Sequence, residues 1–262
     1  MKTLSKIAAL LFLVTPAFGQ TDDIKAIHQQ MLYPVFQVQA ERGTGSGTVI
    51  YSSIRNTEIK TLVLTNYHVI EANVSYREEF DPEQGKDVKK RRFSQVSVAF
   101  FDYINWNKFV GTSGKVANIV AVDKDLDLAL LELEDNKNFV SHVATILPEG
   151  SRLDIGETTY AVGAGLGRPP FISQGILGFL HEKIEGQSYM LSTAPIIFGN
   201  SGGALFRRNP KGEYEMIGVP SRVTATGFGG AVTHMGWSLP TKTIRAFLRA
   251  NKYGYVLNDV AD

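Results

Sequence analysis

The chain has 262 residues, 27 Lys+Arg against 26 Asp+Glu, no cysteine and 44% hydrophobic residues. That length and apolar content suffice for one or two packed units with a sizeable core. A net charge of +1 gives no general grip on nucleic acid, and the lack of cysteine excludes disulfides, thiolate metal sites and cysteine nucleophiles.

Lys2 and Lys6 flank an apolar run over 7–14, and Ala17-Phe18-Gly19 follows a Thr15-Pro16 break. Basic flank, short apolar stretch and small residues at a cut site describe a secretory leader over residues 1–19, cleaved after Gly19. The run is too short for a ~30 Å hydrocarbon layer, so no stable membrane insertion is expected once the leader is gone. Export to the periplasm or the medium follows, and an exported chain without disulfides fits a bacterial envelope. The mature chain is expected to begin with an N-terminal segment, 20–34, that carries a short helix over 22–30.

Short apolar or alternating runs come next, each rich in Val, Ile, Leu, Thr or aromatics and bounded by Gly, Pro, Asn or Asp. They predict strands at 35–40, 47–51, 61–66, 96–101, 116–122 and 128–133, then at 158–162, 172–180, 189–193, 203–206, 216–220 and 236–239. Between the third and fourth, residues 75–94 are charged and contain Lys89-Lys90-Arg91-Arg92; acidic residues from Glu78 to Asp87 offset that cluster, and a solvated surface loop is expected. Only 241–251 has convincing helical spacing, with Ile244, Phe247 and Leu248 on one face. A dozen short strands and one terminal helix predict an all-β protein of one or two barrels.

Three places in this pattern carry chemistry. In Gly199-Asn200-Ser201-Gly202-Gly203, glycines on both sides leave a serine hydroxyl open and permit backbone N–H groups to converge. The amides of Gly199 and Ser201 are candidates for an oxyanion hole. A serine needs a base. Of the five histidines, His68 stands just past the apolar run Leu62-Val63-Leu64-Thr65, a rigid mount that His28, His142, His181 and His234 lack. The base needs a carboxylate to orient it, and Asp127 leads directly into Leu128-Ala129-Leu130-Leu131, whereas Asp123 and Asp125 fall in the preceding turn.

The order His68, Asp127, Ser201 is that of chymotrypsin-type enzymes. Together with Gly43-Thr44-Gly45-Ser46-Gly47-Thr48-Val49-Ile50, Thr65-Asn66-Tyr67-His68-Val69, Ala161-Val162-Gly163, Ile217-Gly218-Val219 and Trp237-Ser238-Leu239-Pro240, it makes the sequence resemble trypsin-like serine peptidases of the bacterial HtrA (Deg) type. The resemblance implies a peptidase domain over 35–262 made of two six-stranded antiparallel β-barrels, about 35–137 and 145–240, with a C-terminal helix over 241–251. It implies endopeptidase action on protein or peptide substrates through an acyl-enzyme on Ser201, with no metal and no organic cofactor. Substrate contacts are implied at Ile197, Phe198, Val219, Ser221 and Arg222; an apolar lining without aspartate suits uncharged aliphatic P1 side chains, unless Arg222 turns inward to favour acidic ones. Asn200, not aspartate, precedes the serine, so no activating cut is expected beyond leader removal. The family's frequent PDZ domains find no counterpart in the residues after Ser201, which the last strands and helix consume. A glutamyl endopeptidase-like protease and a non-catalytic peptide-binding module on the same scaffold are the competing readings.

Overall fold

Most strands that follow one another along this chain pair antiparallel, because turn residues between them reverse the backbone within a few positions. The computed structural model describes residues 19–104, 108–135, 139–227 and 229–257. The expected leader, 1–19, lies outside these residues except for Gly19. Helix α1 spans Gly19–Ile27 and runs into a π-helical turn, His28–Leu32, so helical structure begins earlier than the sequence pattern suggests.

Barrel one is a closed sheet of β1 (Val35–Ala40), β2 (Gly43–Arg55), β3 (Glu58–Thr65), β6 (Val96–Ile104), β7 (Lys108–Asp123) and β8 (Leu128–Leu133), in the order β1-β2-β3-β8-β7-β6. Between β3 and β6 lie a single helical turn, α2 (Tyr67–Ile70), and a two-stranded ribbon of β4 (Val74–Asp81) and β5 (Lys86–Phe93). Barrel two closes β9 (Thr158–Gly163), β10 (Phe171–Ile184), β11 (Gln187–Ser192), β12 (Ala204–Arg208), β13 (Tyr214–Ala225) and β14 (Ala231–Pro240) in the order β10-β11-β14-β13-β12-β9. Helix α3 (Thr241–Ala250) follows.

Two sequence expectations need correction. Several strands, β2, β7, β10 and β13 above all, run several residues past their apolar cores, because backbone pairing continues through polar side chains. The charged stretch expected as a loop is the β4–β5 ribbon, paired without interruption from Val74↔Phe93 to Asp81↔Lys86. Hydrophobic patterning is blind to it because no core receives either face. Glu79 sits between Lys90, at 3.5 Å, and Arg92, whose Nε–H donates to it at 3.0 Å.

The apolar runs Leu62-Val63-Leu64 and Leu128–Leu131 have a different reason. Both faces of β3 and β8 are covered. Val63, Ala129 and Leu131 pack within barrel one beside Phe36, Val38 and Val98. Leu62, Leu64, Leu128 and Leu130 pack into a cluster shared with barrel two and α3, through Val162, Phe206, Met216, Ile244 and Phe247. Burying each such side chain contributes about 1.5–3 kcal/mol. This shared cluster holds the two barrels together and so sets where their ends meet.

Candidate active site

At the end of β3, fully buried Asn66 takes an extended conformation and α2 begins. Tyr67 and Ile70 drive one side of that turn into the barrel-one core, which leaves the His68 imidazole facing outward, 45% exposed. Asp127 ends the β7–β8 turn. Its backbone lies in the left-handed region, φ 52°, which aspartate tolerates better than most residues. The Asn66 side-chain amide donates to the Asp127 carbonyl at 2.8 Å, tying the histidine's mount to the aspartate's turn. The Asp127 carboxylate then faces His68 Nδ1 at 3.0 and 2.9 Å from its two oxygens and accepts the His68 backbone N–H at 3.0 Å. A third donor, the Ser221 hydroxyl on β13, reaches Asp127 Oδ2 at 2.6 Å. With Nδ1 occupied by a carboxylate, Nε2 of His68 is the nitrogen left for chemistry.

Of the other aspartates, Asp123 accepts the Leu126 N–H at 2.9 Å and Asp125 is exposed. His28 and His142 join an aromatic cluster with Tyr33 and Tyr103 on the far side of barrel one, where burial pushes both imidazoles below the usual histidine range.

Ser201 is the second residue of the second of two consecutive tight turns. The Asn200 N–H donates to Ile197 O at 3.0 Å and the Gly203 N–H to Asn200 O at 2.9 Å; Gly199 (φ 98°) and Gly202 (φ 84°) occupy their third positions. Positive φ at that position is the mark of a type II turn and favours glycine. A Cβ on Gly199 would also stand 2.6 Å from Ala164 O and 2.8 Å from Leu166 N, both backbone atoms. The Phe198 carbonyl accepts the Leu166 N–H at 2.7 Å, which turns the N–H of the same peptide unit, that of Gly199, the opposite way. Neither the Gly199 nor the Ser201 N–H has a protein acceptor among the described residues. The Ser201 hydroxyl donates to Ser221 O at a long 3.4 Å, so Ser221 touches both Asp127 and Ser201.

The sequence-derived contact residues divide. Phe198 is 70% exposed beside Ser201, and Ile197 is half-buried beneath it. Val219 is fully buried in the shared core and reaches no cleft. Ser221 is committed to Asp127. Arg222 pairs with Glu185 at 2.7 Å, and its guanidinium lies 5.4 Å from the Tyr189 ring centre. Ile196, within the 195–198 wall expected from the sequence, donates its N–H to Thr233 O at 2.9 Å; its side chain fills the space over Gly236, where a Cβ would come within 2.4 Å of it. A hollow of about 370 Å³ beside the imidazole is lined by Tyr67, His68, Glu71, Lys124, Asp127 and Arg222, among others. Lys124 is paired there with Glu71 at 2.9 Å.

Sequence reading also passed over Ser46 as a residue of the site, although the glycines on either side of it, Gly45 and Gly47, mark a place where backbones approach closely. Its backbone N–H donates to Ser201 O at 2.8 Å, and its side chain reaches the Gly199 carbonyl.

The model of the trypsin-like peptidase domain matches residues 45–219, which contain His68, Asp127 and Ser201. The chain is 28% identical over 211 residues to the periplasmic pH-dependent serine endoprotease DegQ of Escherichia coli (strain K12), covering 79% of this chain and 37% of that protein. It is likewise 28% identical over 195 residues to a probable periplasmic serine protease do/HhoA-like of Haemophilus influenzae, covering 72% of this chain and 33% of that one. The chain thus spans about a third of the length of these curated relatives. Among solved structures, that of Deg5 superposes with a TM-score of 0.58 at 24% sequence identity, covering 87% of this chain and 93% of that one, a likeness of fold. The family-model match extends over more than half of the sequence and encloses the whole His68–Asp127–Ser201 constellation, and on that ground the chain belongs to the trypsin-like peptidase family.

Proposed function

We propose that this protein is an exported serine endopeptidase in which Ser201 is the nucleophile, His68 the base and Asp127 its orienting carboxylate. The observation that carries the reading is the convergence on Asp127 of His68 Nδ1, the His68 N–H and the Ser221 hydroxyl, with the Ser221 carbonyl on Ser201 Oγ. In the reaction, Ser201 Oγ swings from Ser221 O toward His68 Nε2 and attacks the scissile carbonyl carbon while Nε2 takes its proton. The oxyanion that forms accepts the unoccupied N–H groups of Gly199 and Ser201. As the carbon–nitrogen bond breaks, the imidazolium returns the proton to the leaving amine. A water molecule, deprotonated by the same nitrogen, then cleaves the acyl-enzyme and regenerates Ser201.

Asp127 stabilises the imidazolium and holds the tautomer that leaves Nε2 unprotonated. Uncharged aliphatic P1 side chains suit a site with no aspartate in 195–198, 219–223 or 231–233, and Arg222 is engaged by Glu185. Asn200 is neutral and its Oδ1 accepts the Ile197 N–H at 3.3 Å, so the serine turn is held without an ion pair to a new N-terminus. Residues 1–19 serve as the export leader in this reading.

Protein beginning at Gln20 is expected to react with a fluorophosphonate without further processing, and peptide mapping to place the label on Ser201. No label, or a label elsewhere, removes the proposed nucleophile. Labelling that appears only after a cut between Thr21 and Arg42 removes the account of the pre-formed turn.

A further inference from the structure

We infer that Ser46, a residue of barrel one, is the positioning residue of the oxyanion hole in barrel two; the inference rests on the proposed peptidase reading. Ser46 is fully buried, and all its polar groups are engaged. Its hydroxyl donates to the Gly199 carbonyl at 2.6 Å and accepts the Ala164 N–H at 2.7 Å. Its backbone N–H donates to Ser201 O at 2.8 Å, and its carbonyl accepts the Thr65 hydroxyl at 2.7 Å.

These bonds act on the peptide planes adjoining those that carry the Gly199 and Ser201 N–H groups. A peptide unit is rigid and planar, so fixing a carbonyl fixes the N–H on its other side. Holding Gly199 O fixes the plane between Gly199 and Asn200, and with it the Asn200 N–H that closes the turn onto Ile197 O. Holding Ser201 O fixes the far end of the same loop. Through Ala164 N, the hydroxyl also anchors the segment whose next amide but one, Leu166 N–H, holds Phe198 O and so aims the Gly199 N–H. One hydroxyl therefore clamps both sides of the turn, from a strand 153 residues away in sequence. An alanine has no atom to replace either bond, and glycine at 199 supplies no stiffness of its own. Ser46 touches neither substrate nor reacting atom in this arrangement; it acts by fixing the peptide planes on either side of the one that carries the Ser201 N–H and, through Ala164 and Leu166, the aim of the Gly199 N–H.

The test compares Ser46→Ala with Thr159→Val, which deletes a hydroxyl equally buried in barrel two and bonded to Ser192 Oγ at 2.7 Å, away from the turn. For each, kcat, KM, melting temperature and the affinities of a peptide aldehyde and of the matching peptide carboxamide are measured. The aldehyde forms an oxyanion on Ser201 and the carboxamide does not. Ser46→Ala is expected to lower kcat and aldehyde affinity together by about 10- to 100-fold, with KM and carboxamide affinity within about twofold. Thr159→Val is expected to lose melting temperature without that split. Equal losses of aldehyde and carboxamide affinity in Ser46→Ala, or the same kcat loss in Thr159→Val, would overturn the inference. Should Ser46→Ala not fold, Ser46→Cys keeps the shape with a weak donor and is read in the same way. Should the wild-type protein fail to label at Ser201, the proposed nucleophile falls, and hydrogen exchange over 196–203 decides the clamp separately. Faster exchange there in the Ser46 variant than in Thr159→Val supports it, and equal exchange rejects it.

Discussion

The His68 turn and the Ser201 turn, joined through Ser221, are held in opposite ways. The first is local to its own barrel: Tyr67 and Ile70 sink into the barrel-one core, and Asn66 ties it to the Asp127 turn of the same barrel. The second has few apolar anchors; Phe198 is exposed, Gly199 and Gly202 have positive φ, and its carbonyls are held by Leu166 and by Ser46 of the other barrel. A turn anchored by burial tolerates the loss of one hydrogen bond, whereas a glycine turn defined by hydrogen bonds does not. The His68–Asp127 pair is thus set mainly by one barrel's packing, with the Ser221 hydroxyl of the other barrel added to it. The Ser201 turn is set by how the two barrels meet.

Substitutions can break or sharpen this contrast. The largest effect is expected from Ser201→Ala, which removes the proposed nucleophile from a unit acting as a whole; kcat should fall by about 10⁶-fold with an unchanged melting temperature. Steady-state kinetics on a peptide substrate checks it, and activity near wild type would eliminate Ser201. Next comes Asp127→Asn, expected to cost about 10⁴-fold in kcat near neutral pH because the amide favours the wrong tautomer. Asp125→Asn, exposed in the same turn, should stay within a few-fold by the same assay, and the reverse order would transfer the role.

A third variant addresses the other turn. Gly199→Ala places a Cβ against the Ala164 and Leu166 backbones, so the turn must shift and the donors leave their aim. Its kcat should drop about 10²- to 10³-fold in steady-state assays on a peptide substrate. A wild-type kcat would mean that the donors keep their aim despite the added Cβ.

The smallest effects concern stability. Leu64→Ala, emptying part of the cluster shared by the barrels, should cost about 2–5 kcal/mol in denaturant unfolding. Arg92→Ala on the ribbon should cost less than about 1 kcal/mol, as expected of an exposed ion pair. A large loss from Arg92→Ala would give the ribbon a structural weight that its exposure denies.

How much of this was legible in the sequence follows from the range over which each signal acts. The strand cores, α3, and the choice of His68 and Asp127 over their neighbours were readable because each rests on an apolar run adjoining a polar residue. Val219 was misplaced among the cleft residues because a buried β-strand residue and a pocket-lining one have the same apolar character; only the register with β14 separates them. Arg222 had two possible directions in the sequence; in the structure it pairs with Glu185, on the β10–β11 hairpin, a partner that its neighbours in sequence do not indicate.

By itself the sequence determined the all-β class and a glycine-flanked serine able to adopt tight turns, and it put forward His68, Asp127 and Ser201 in that order, since these depend on residue type and near neighbours. The tertiary structure alone decided that the charged stretch pairs as a ribbon, that Ser221 joins Asp127 to Ser201, and that Ser46 reaches Gly199. Each of those rests on a hydrogen bond between segments brought together by the closing of a barrel or the docking of two. Hydrogen-bond partners far apart in the chain leave no periodicity behind, whereas burial does.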